Sequence, residues 1–149
     1  MYLETCHFQP VERDQLIDDI LISVYDAGDV TVKPHKAAVL FLVFAIAALV
    51  DPGLPAYNAE AEAYCLMGMR ALDLRCISTS PDMETVIALS LLAAYHGNSS
   101  KSRSLDTAWS SMSLALKLAQ KVRLSLRGSS NLWLIFVLDW AAYVVTPTG

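Results

Sequence analysis

Apolar side chains recur at helical spacing along most of this chain, and short polar turns separate one apolar run from the next. The clearest region is residues 57–124, where three such runs follow one another. Apolar residues at i, i+3, i+4 and i+7 line one face of a helix, whereas a half-buried strand alternates with a period of two. The pattern therefore predicts consecutive amphipathic helices in this region.

Two further helices are predicted before residue 57. Residues 12–25 carry apolar positions such as Leu16 and Ile20 at helical spacing, with acidic side chains on the opposite side. Residues 34–50 begin with Pro34, whose missing backbone N–H costs nothing in the first turn of a helix. This segment is apolar on every side, so we expect it to be the central and most enclosed helix.

The third predicted helix begins after Asn58, because an asparagine side chain caps helix N-termini well. Acidic residues follow in its first turn and Arg70 lies near its end, as the helix dipole favours. One stripe of this helix is expected to face the core. That stripe consists of Tyr64, Met67, Ala71 and Leu74.

The fourth predicted helix has a strong start signal in Ser80-Pro81-Asp82, which offers a hydroxyl cap, a proline at the first helical position and then an acid. Apolar residues at helical spacing follow. The predicted inward face contains Val86, Leu89, Leu92 and Ala93.

The fifth predicted helix begins at Ser104, and apolar residues recur along it at alternating spacings of four and three. This packing seam consists of Leu105, Trp109, Met112, Leu116 and Ala119. We expect Trp109 to anchor the core, so that Trp109→Ala should cost roughly 3–5 kcal/mol of stability. The alternative is that Trp109 lines an apolar ligand pocket between helices.

A sixth helix is predicted for residues 131–145, which are apolar around the circumference apart from Asp139. Several β-branched residues in this segment keep a strand open as an alternative. Together these segments predict an all-α fold, an antiparallel array of about six helices with short connections. The length of 149 residues corresponds to one domain or to part of a larger helical domain.

The composition is unusually apolar, with 54% hydrophobic residues and a mean hydropathy of +0.40. Such an excess indicates apolar surface for a protein partner or for a second copy of the chain. The longest apolar run, residues 37–50, has 14 residues, which is too short to span a hydrocarbon core of about 30 Å as a helix. We therefore interpret this run as a buried core helix and expect no membrane partner.

The charge argues against nucleic-acid binding by this chain. Its net charge is −4, and residues 1–99 carry 13 acidic and 5 basic side chains, whereas residues 100–149 carry 2 and 6. Neutralising phosphates requires a surplus of Lys and Arg. Four basic residues could still face DNA or an acidic partner, although a solvated helix face explains them better. These are Lys117, Lys121, Arg123 and Arg127.

The cysteines and histidines do not predict a metal site. No His or Cys pair falls at i, i+3 or i+4, and Cys6-His7, His35 and His96 are far apart in the sequence. Three widely spaced cysteines do not form a disulfide framework, which favours a reducing compartment. Cys65 and Cys76 are expected to be small core residues.

Acidic residues cluster at Asp14, Asp18 and Asp19, and Asp14 and Asp18 would share one face of a helix. Exposed acids on an amphipathic helix explain them as well as a carboxylate site does. We therefore predict no catalytic, cofactor-binding or metal-binding residue. A small helical enzyme is the weakest of the function classes considered.

Five segments carry a resemblance, and they follow one another in the order ERDQLIDDI, AVLFLVFAIAALVD, LPAYNAEAEAYCLMGMRALDL, SPDMETVIALSLLAAYH and DTAWSSMSLALKLAQKVRL. Together they resemble the fungal-specific transcription factor domain. This domain is the helical middle homology region of fungal regulators whose DNA-binding module is a binuclear zinc cluster. The resemblance covers residues 12–126.

This resemblance implies an all-α regulatory domain in a nuclear transcription regulator, not an enzyme. Such a domain is thought to restrain or tune activity, sometimes in response to a small-molecule effector. In such regulators, DNA contact belongs to a separate cysteine-rich module, where six clustered cysteines hold two zinc ions. We therefore expect zinc and DNA to bind outside this chain, and no cofactor within it.

The chain also departs from the family pattern after the fifth helix. Family members continue into a Gly-Leu-His-Arg-Asp-like stretch, where this chain reads Arg123-Leu124-Ser125-Leu126-Arg127. Residues 131–139 resemble the next family helix without its arginines. We therefore expect a truncated form of the domain. The alternative function is a truncated, stand-alone helical module that binds proteins without transcriptional activity.

Overall fold

The computed structural model describes residues 18, 20–25, 33–55, 58–99 and 104–125, and it is helical throughout the regular parts of these ranges. Four long helices form the framework. They are α1 (Pro34–Val50), α2 (Ala59–Asp73), α3 (Met83–Asn98) and α4 (Ser104–Ser125). A single helical turn, Ile22–Tyr25, precedes them. The all-α class predicted from the sequence is confirmed for these residues.

The number of helices differs from the predicted six, because the described ranges contain four long helices. The segment predicted as residues 12–25 is represented by wider π-type turns around Ile20, followed by the short turn Ile22–Tyr25. The structure describes residues 18 and 20–25 of this segment, and the rest of it lies outside the described residues. The helix predicted for residues 131–145 lies outside the described residues.

Helix α1 confirms the predicted segment 34–50. Pro34 lies in its first turn, and the helix ends at Asp51. The Asp51 carboxylate accepts a hydrogen bond of 2.8 Å from the backbone N–H of Gly53, which stabilises the turn that follows.

The prediction that this helix is the most enclosed one is wrong. Every side chain of α3 from Thr85 to Tyr95 is buried, whereas several residues in the second half of α1 are only partly buried. Helix α3 packs against both α1 and α4, and α1 packs against α2 and α3. A helix that is apolar on every side can be fully or partly enclosed. How far it is enclosed depends on which helices pack against it, and the sequence of the helix does not show this.

Helix α2 confirms the predicted cap and only part of the predicted buried stripe, in which Ala71 is buried and Tyr64 is half-buried. The Asn58 side-chain oxygen accepts a hydrogen bond of 2.8 Å from the N–H of Glu60. Met67 and Leu74 are 47% and 77% exposed, although both were expected in the core. The side that faces the core is built from smaller residues. These are Ala61, Cys65, Gly68, Ala71 and Leu72.

Small residues are on this side because α1 approaches α2 closely. A methyl group added at Gly68 would lie 2.7 Å from Cγ of Leu42. His35 at the start of α1 contacts the end of α2, and Phe44 further along packs its ring 5.6 Å from that of Tyr64 near the beginning of α2. The antiparallel arrangement of the whole array stays a prediction.

Helix α3 begins two residues later than predicted, because Asp82 rather than Ser80 is its N-cap. The backbone N–H of Asp82 donates to Thr85 Oγ1 at 3.1 Å, one half of a capping box. The predicted inward residues Val86, Leu89, Leu92 and Ala93 are all buried.

Helix α4 begins at Ser104, as predicted, but only part of the predicted seam is buried. Met112 is 1% exposed, whereas Leu105 and Trp109 are 55% and 43% exposed. The buried face is rotated toward one side of the seam, where small and aliphatic residues contact α3. It consists of Ala108, Ser111, Met112, Ala115, Leu118, Ala119 and Val122. Trp109 is therefore not a core anchor.

Candidate functional site

A buried histidine joins three of the helices. His35 is 1% exposed, its Nδ1 lies 2.7 Å from Thr85 Oγ1, and its Nε2 lies 3.3 Å from the backbone carbonyl of Leu72. A carbonyl only accepts hydrogen bonds, so Nε2 carries the proton and donates it. In the neutral ring Nδ1 then accepts from the Thr85 hydroxyl, and this assignment follows from the partners.

This arrangement makes His35 a structural junction between α1, α2 and α3. Both ring nitrogens have protein partners, which is how buried polar groups are stabilised. The Thr85 hydroxyl makes two hydrogen bonds, because it donates to His35 Nδ1 and accepts from the backbone N–H of Asp82. The sequence did not reveal this junction, although the spacing of Asp82 and Thr85 is a capping-box signal that marks the neighbouring helix start.

The loop between α2 and α3 carries the most polar surface cluster of the described ranges. The Arg75 guanidinium forms an ion pair with the Asp82 carboxylate and donates a second hydrogen bond of 3.0 Å to Ser80 Oγ. The Nζ of Lys121, on α4, donates to the backbone carbonyl of Ser78 at 2.8 Å. These contacts tie the loop to the start of α3 and to α4.

A continuous series of hydrogen bonds therefore runs from the surface to the core. It starts at the exposed Ser80, passes through Arg75 to Asp82, and continues through Thr85 to the buried His35. A change of charge in the loop would act directly on the residues that cap α3.

The same loop contains Cys76, which is exposed and not in the core as predicted. A hydrogen bond with the Thr79 side chain, followed by the backbone N–H groups of Thr79 and Ser78, lowers the pKa of this thiol. Cys76 lies beyond the end of α2, where no neighbouring helix covers it. Cys65, in contrast, is buried as predicted.

A second candidate is the outer side of α2, which presents large apolar side chains to solvent. We define the α2 ridge as Leu66, Met67 and Leu74, which are 50%, 47% and 77% exposed. At 100° per residue these three side chains project away from the buried face of Cys65 and Leu72. Helix α4 has further exposed apolar residues, Leu105, Trp109 and Leu114, at its outer side.

Among the described residues, the other candidates from the sequence do not form a metal-binding cluster. Asp18 is exposed, and Lys117 and Lys121 lie on the exposed side of α4. His96 is in the last turn of α3, where its ring packs edge-on against Tyr95 at 5.5 Å. Several candidates lie outside the described residues or have side chains outside them. These are Cys6, His7, Asp14, Asp19, Arg123 and Arg127.

The described ranges contain neither a metal-ligand cluster nor a membrane-spanning helix. No group of three or more His, Cys, Asp or Glu side chains within them is arranged to hold a metal ion. None of the described helices combines the length and the apolar character needed to cross a bilayer.

Comparison with known proteins identifies the family. The family model described as the fungal specific transcription factor domain matches residues 1–139. No curated protein and no solved structure matches the chain. The matched family is one of transcription-factor domains and not of enzymes. Since the match spans most of the 149 residues, the chain belongs to the fungal specific transcription factor domain family.

Proposed function

We propose that this chain is a regulatory and interaction domain of a nuclear fungal transcription regulator, in which it tunes the activity of a separate DNA-binding module. The family match over residues 1–139 supports the link to transcription. The net charge of −4 supports the assignment of DNA contact to a separate module, because direct contact with DNA phosphates requires a surplus of basic residues.

The observation that carries the interaction role is the α2 ridge. Leu66 and Met67 in the helix and Leu74 at its C-cap are between 47% and 77% exposed. The opposite side of α2 is anchored firmly by Cys65, Gly68 and Leu72, so the ridge is held in a fixed orientation. Large apolar side chains grouped on one exposed surface are typical of a protein interaction site.

The chemistry of the ridge fits a protein partner that contributes an apolar helix face or groove. Leu66 and Met67 precede Leu74 by about two helical turns, and apolar residues at such a spacing serve as anchors when one helix packs into the groove of another protein. Arg70, exposed between Met67 and Leu74, adds a charged group at the centre of the surface. An acidic residue beside the partner's apolar anchors would complement it.

A reporter experiment tests this function. The whole chain is fused to a heterologous DNA-binding domain, and transcription from a promoter with the matching site is measured in fungal cells. We expect the fusion to change reporter output relative to the DNA-binding domain alone. The triple variant Leu66→Gln, Met67→Gln and Leu74→Gln should abolish that change, because it removes the apolar contacts without disturbing buried residues.

The matched control replaces exposed apolar residues elsewhere. Leu105 and Leu114 on α4 are 55% and 37% exposed, so Leu105→Gln with Leu114→Gln alters a similar kind of surface. This variant should keep the reporter response. Equal loss in both variants would show that the ridge has no special role. No response from the unmodified fusion would favour a protein-binding module without transcriptional activity.

A further inference from the structure

We propose that Ser80 is a phosphorylation site for a proline-directed protein kinase, and that Arg75 binds the resulting phosphate. This inference goes beyond the proposed function and does not depend on it. It rests on the exposure of the α2–α3 loop, on the Ser80-Pro81 sequence and on the Arg75 guanidinium that donates to the serine hydroxyl.

The loop offers an accessible hydroxyl in an irregular segment. Residues 74–82 lie between α2 and α3, and Ser78, Thr79 and Ser80 are all exposed. Of these three, Ser80 alone precedes a proline. The proline disfavours helical backbone at Ser80, which keeps this residue in the extended conformations that a kinase cleft can accommodate.

The transfer step is an ordinary phosphoryl transfer from magnesium-bound ATP. The Ser80 Oγ attacks the γ-phosphorus and forms the new P–O bond, while the bond from that phosphorus to the β–γ bridging oxygen breaks. ADP leaves with the electron pair of that bond. The hydroxyl proton passes to the catalytic carboxylate of the kinase.

The Arg75 guanidinium is placed to bind a phosphate on Ser80 more strongly than it binds the free hydroxyl. The Arg75 guanidinium already donates to Ser80 Oγ at 3.0 Å, so phosphate oxygens on that atom would lie within reach of the same group. Lys121 is held two residues away, at the carbonyl of Ser78. The guanidinium of Arg75 beside a phosphate would form charge-assisted hydrogen bonds, which are stronger than those to a neutral hydroxyl.

Ser80 is linked through Arg75 to the first residues of α3. Arg75 also pairs with Asp82, the N-cap of α3, and the Asp82 backbone bonds to Thr85 beside the buried His35. A phosphate that shares the Arg75 guanidinium with Asp82 therefore alters the charges at the start of α3. Phosphorylation close to a helix N-terminus and an arginine is a favourable arrangement for a switch.

The first test is direct phosphorylation of the folded full chain. A purified proline-directed kinase and magnesium-ATP are added, and modified peptides are mapped by mass spectrometry. Since Thr146-Pro147 is a second hydroxyl–proline pair, the experiment uses Thr146→Ala as its background. We expect phosphate on Ser80, and its loss in Ser80→Ala and in Pro81→Ala. Ser78→Ala, an exposed serine of the same loop without a proline, should keep the label.

The second test measures whether Arg75 holds the phosphate. A phosphoserine has a second pKa of about 6, and neighbouring cations lower it because they favour the dianion. The ³¹P resonance of the phosphorylated native chain should therefore titrate at lower pH than that of the same chain in urea. Arg75→Gln should remove most of this difference.

Two results would overturn the proposal. One is a native chain left unmodified at Ser80 under conditions that phosphorylate an isolated peptide covering residues 74–84. The other is a phosphate that titrates at the same pH in the native and the urea-unfolded chain, a comparison that needs no variant to fold.

Discussion

At the scale of single residues, His35 connects α1 to both α2 and α3 through its two ring nitrogens. His35→Ala would leave a cavity and remove the partners of the Leu72 carbonyl and the Thr85 hydroxyl. We expect a loss of roughly 2–4 kcal/mol in the free energy of unfolding. Equilibrium urea unfolding followed by circular dichroism measures it.

The control for this substitution is Ser113→Ala, at an exposed position of α4. This change should leave the urea midpoint nearly unaltered, because it touches no buried group. Equal midpoints for His35→Ala and Ser113→Ala would contradict the assignment of His35 as a junction.

Tyr95 makes the free energy of unfolding depend on pH in the alkaline range. Burial raises the pKa of Tyr95 to about 12, and the charges of Cys65 and Glu62 add to the effect. In the unfolded chain a tyrosine titrates near pH 10, so between these values the unfolded state releases a proton that the native state retains. Stability should therefore fall as the pH rises above about 10.

Tyr95→Phe isolates this contribution from that of the other tyrosines. Urea midpoints at pH 8 and pH 11 are compared for both proteins, and the phenylalanine variant should lose less stability over this interval. An identical loss in the two proteins would show that Tyr95 ionises as readily in the native state as in the unfolded chain.

At the scale of helices, the contact between α1 and α2 depends on Gly68. A methyl group there would lie 2.7 Å from Cγ of Leu42, so Gly68→Ala must push the helices apart. We expect a destabilisation of about 1–3 kcal/mol, as for other overpacked sites. Urea unfolding gives the difference directly.

Gly97 provides the matched control, because it also lies in a helix but has no atom within 4 Å of an added methyl group. Gly97→Ala should stabilise the chain by up to about 1 kcal/mol through reduced backbone entropy of the unfolded state. Opposite signs for the two substitutions are the expected result. A stabilising Gly68→Ala would exclude the close helix contact.

Helix α4 allows a comparison of two large residues from the predicted seam. Met112 is 1% exposed and Trp109 is 43% exposed. Met112→Ala should cost about 2–5 kcal/mol, as expected for a buried methionine. Trp109→Ala should cost less, despite the larger side chain, because much of the indole stays in water when the chain is folded. If Trp109→Ala lowered the urea midpoint more than Met112→Ala does, the conclusion that Trp109 is not a core anchor would be wrong.

The helices themselves were largely predictable from local signals, whereas their buried faces were not. Pro34 and Asp51-Pro52 set the limits of α1, and Asn58 set the start of α2, because these residues act on their own backbone. On α2 the larger apolar residues suggested the core face, but the close approach of α1 selected small ones instead. That choice depends on a neighbouring helix and has no local signal.

The His35 junction was also not predictable from the sequence. His35 and Thr85 are 50 residues apart, and their hydrogen bond exists only because α1 and α3 pack side by side. A histidine next to a proline gives no indication of such a partner. Local patterns report which residues form a helix, and long-range contacts decide which polar groups meet.

At the scale of the whole molecule, the four long helices pack in the order α2, α1, α3 and α4. The two inner helices carry many of the enclosed apolar residues and the two side chains of the His35 junction, His35 and Thr85. The two outer helices carry the exposed apolar residues, of which the α2 ridge is the most regular set. Each outer helix thus combines a buried face that contributes to the core with apolar side chains exposed to solvent.

The family was recognisable from the sequence because the helical segments that carry the resemblance follow one another in the family's order, and the family match over residues 1–139 confirms the recognition. The role within transcription follows from that membership only as a proposal. The ridge adds a surface on which the role can be tested.

The most direct measurement is promoter occupancy by the native protein that contains this chain. An epitope tag is added at the endogenous gene, and chromatin immunoprecipitation with sequencing is performed in the cells that express it. A regulatory domain of a transcription regulator predicts enrichment at a discrete set of promoters, with altered transcription of those genes when the α2 ridge is replaced. Recovery no greater than in untagged cells, at every promoter, would contradict the proposed role.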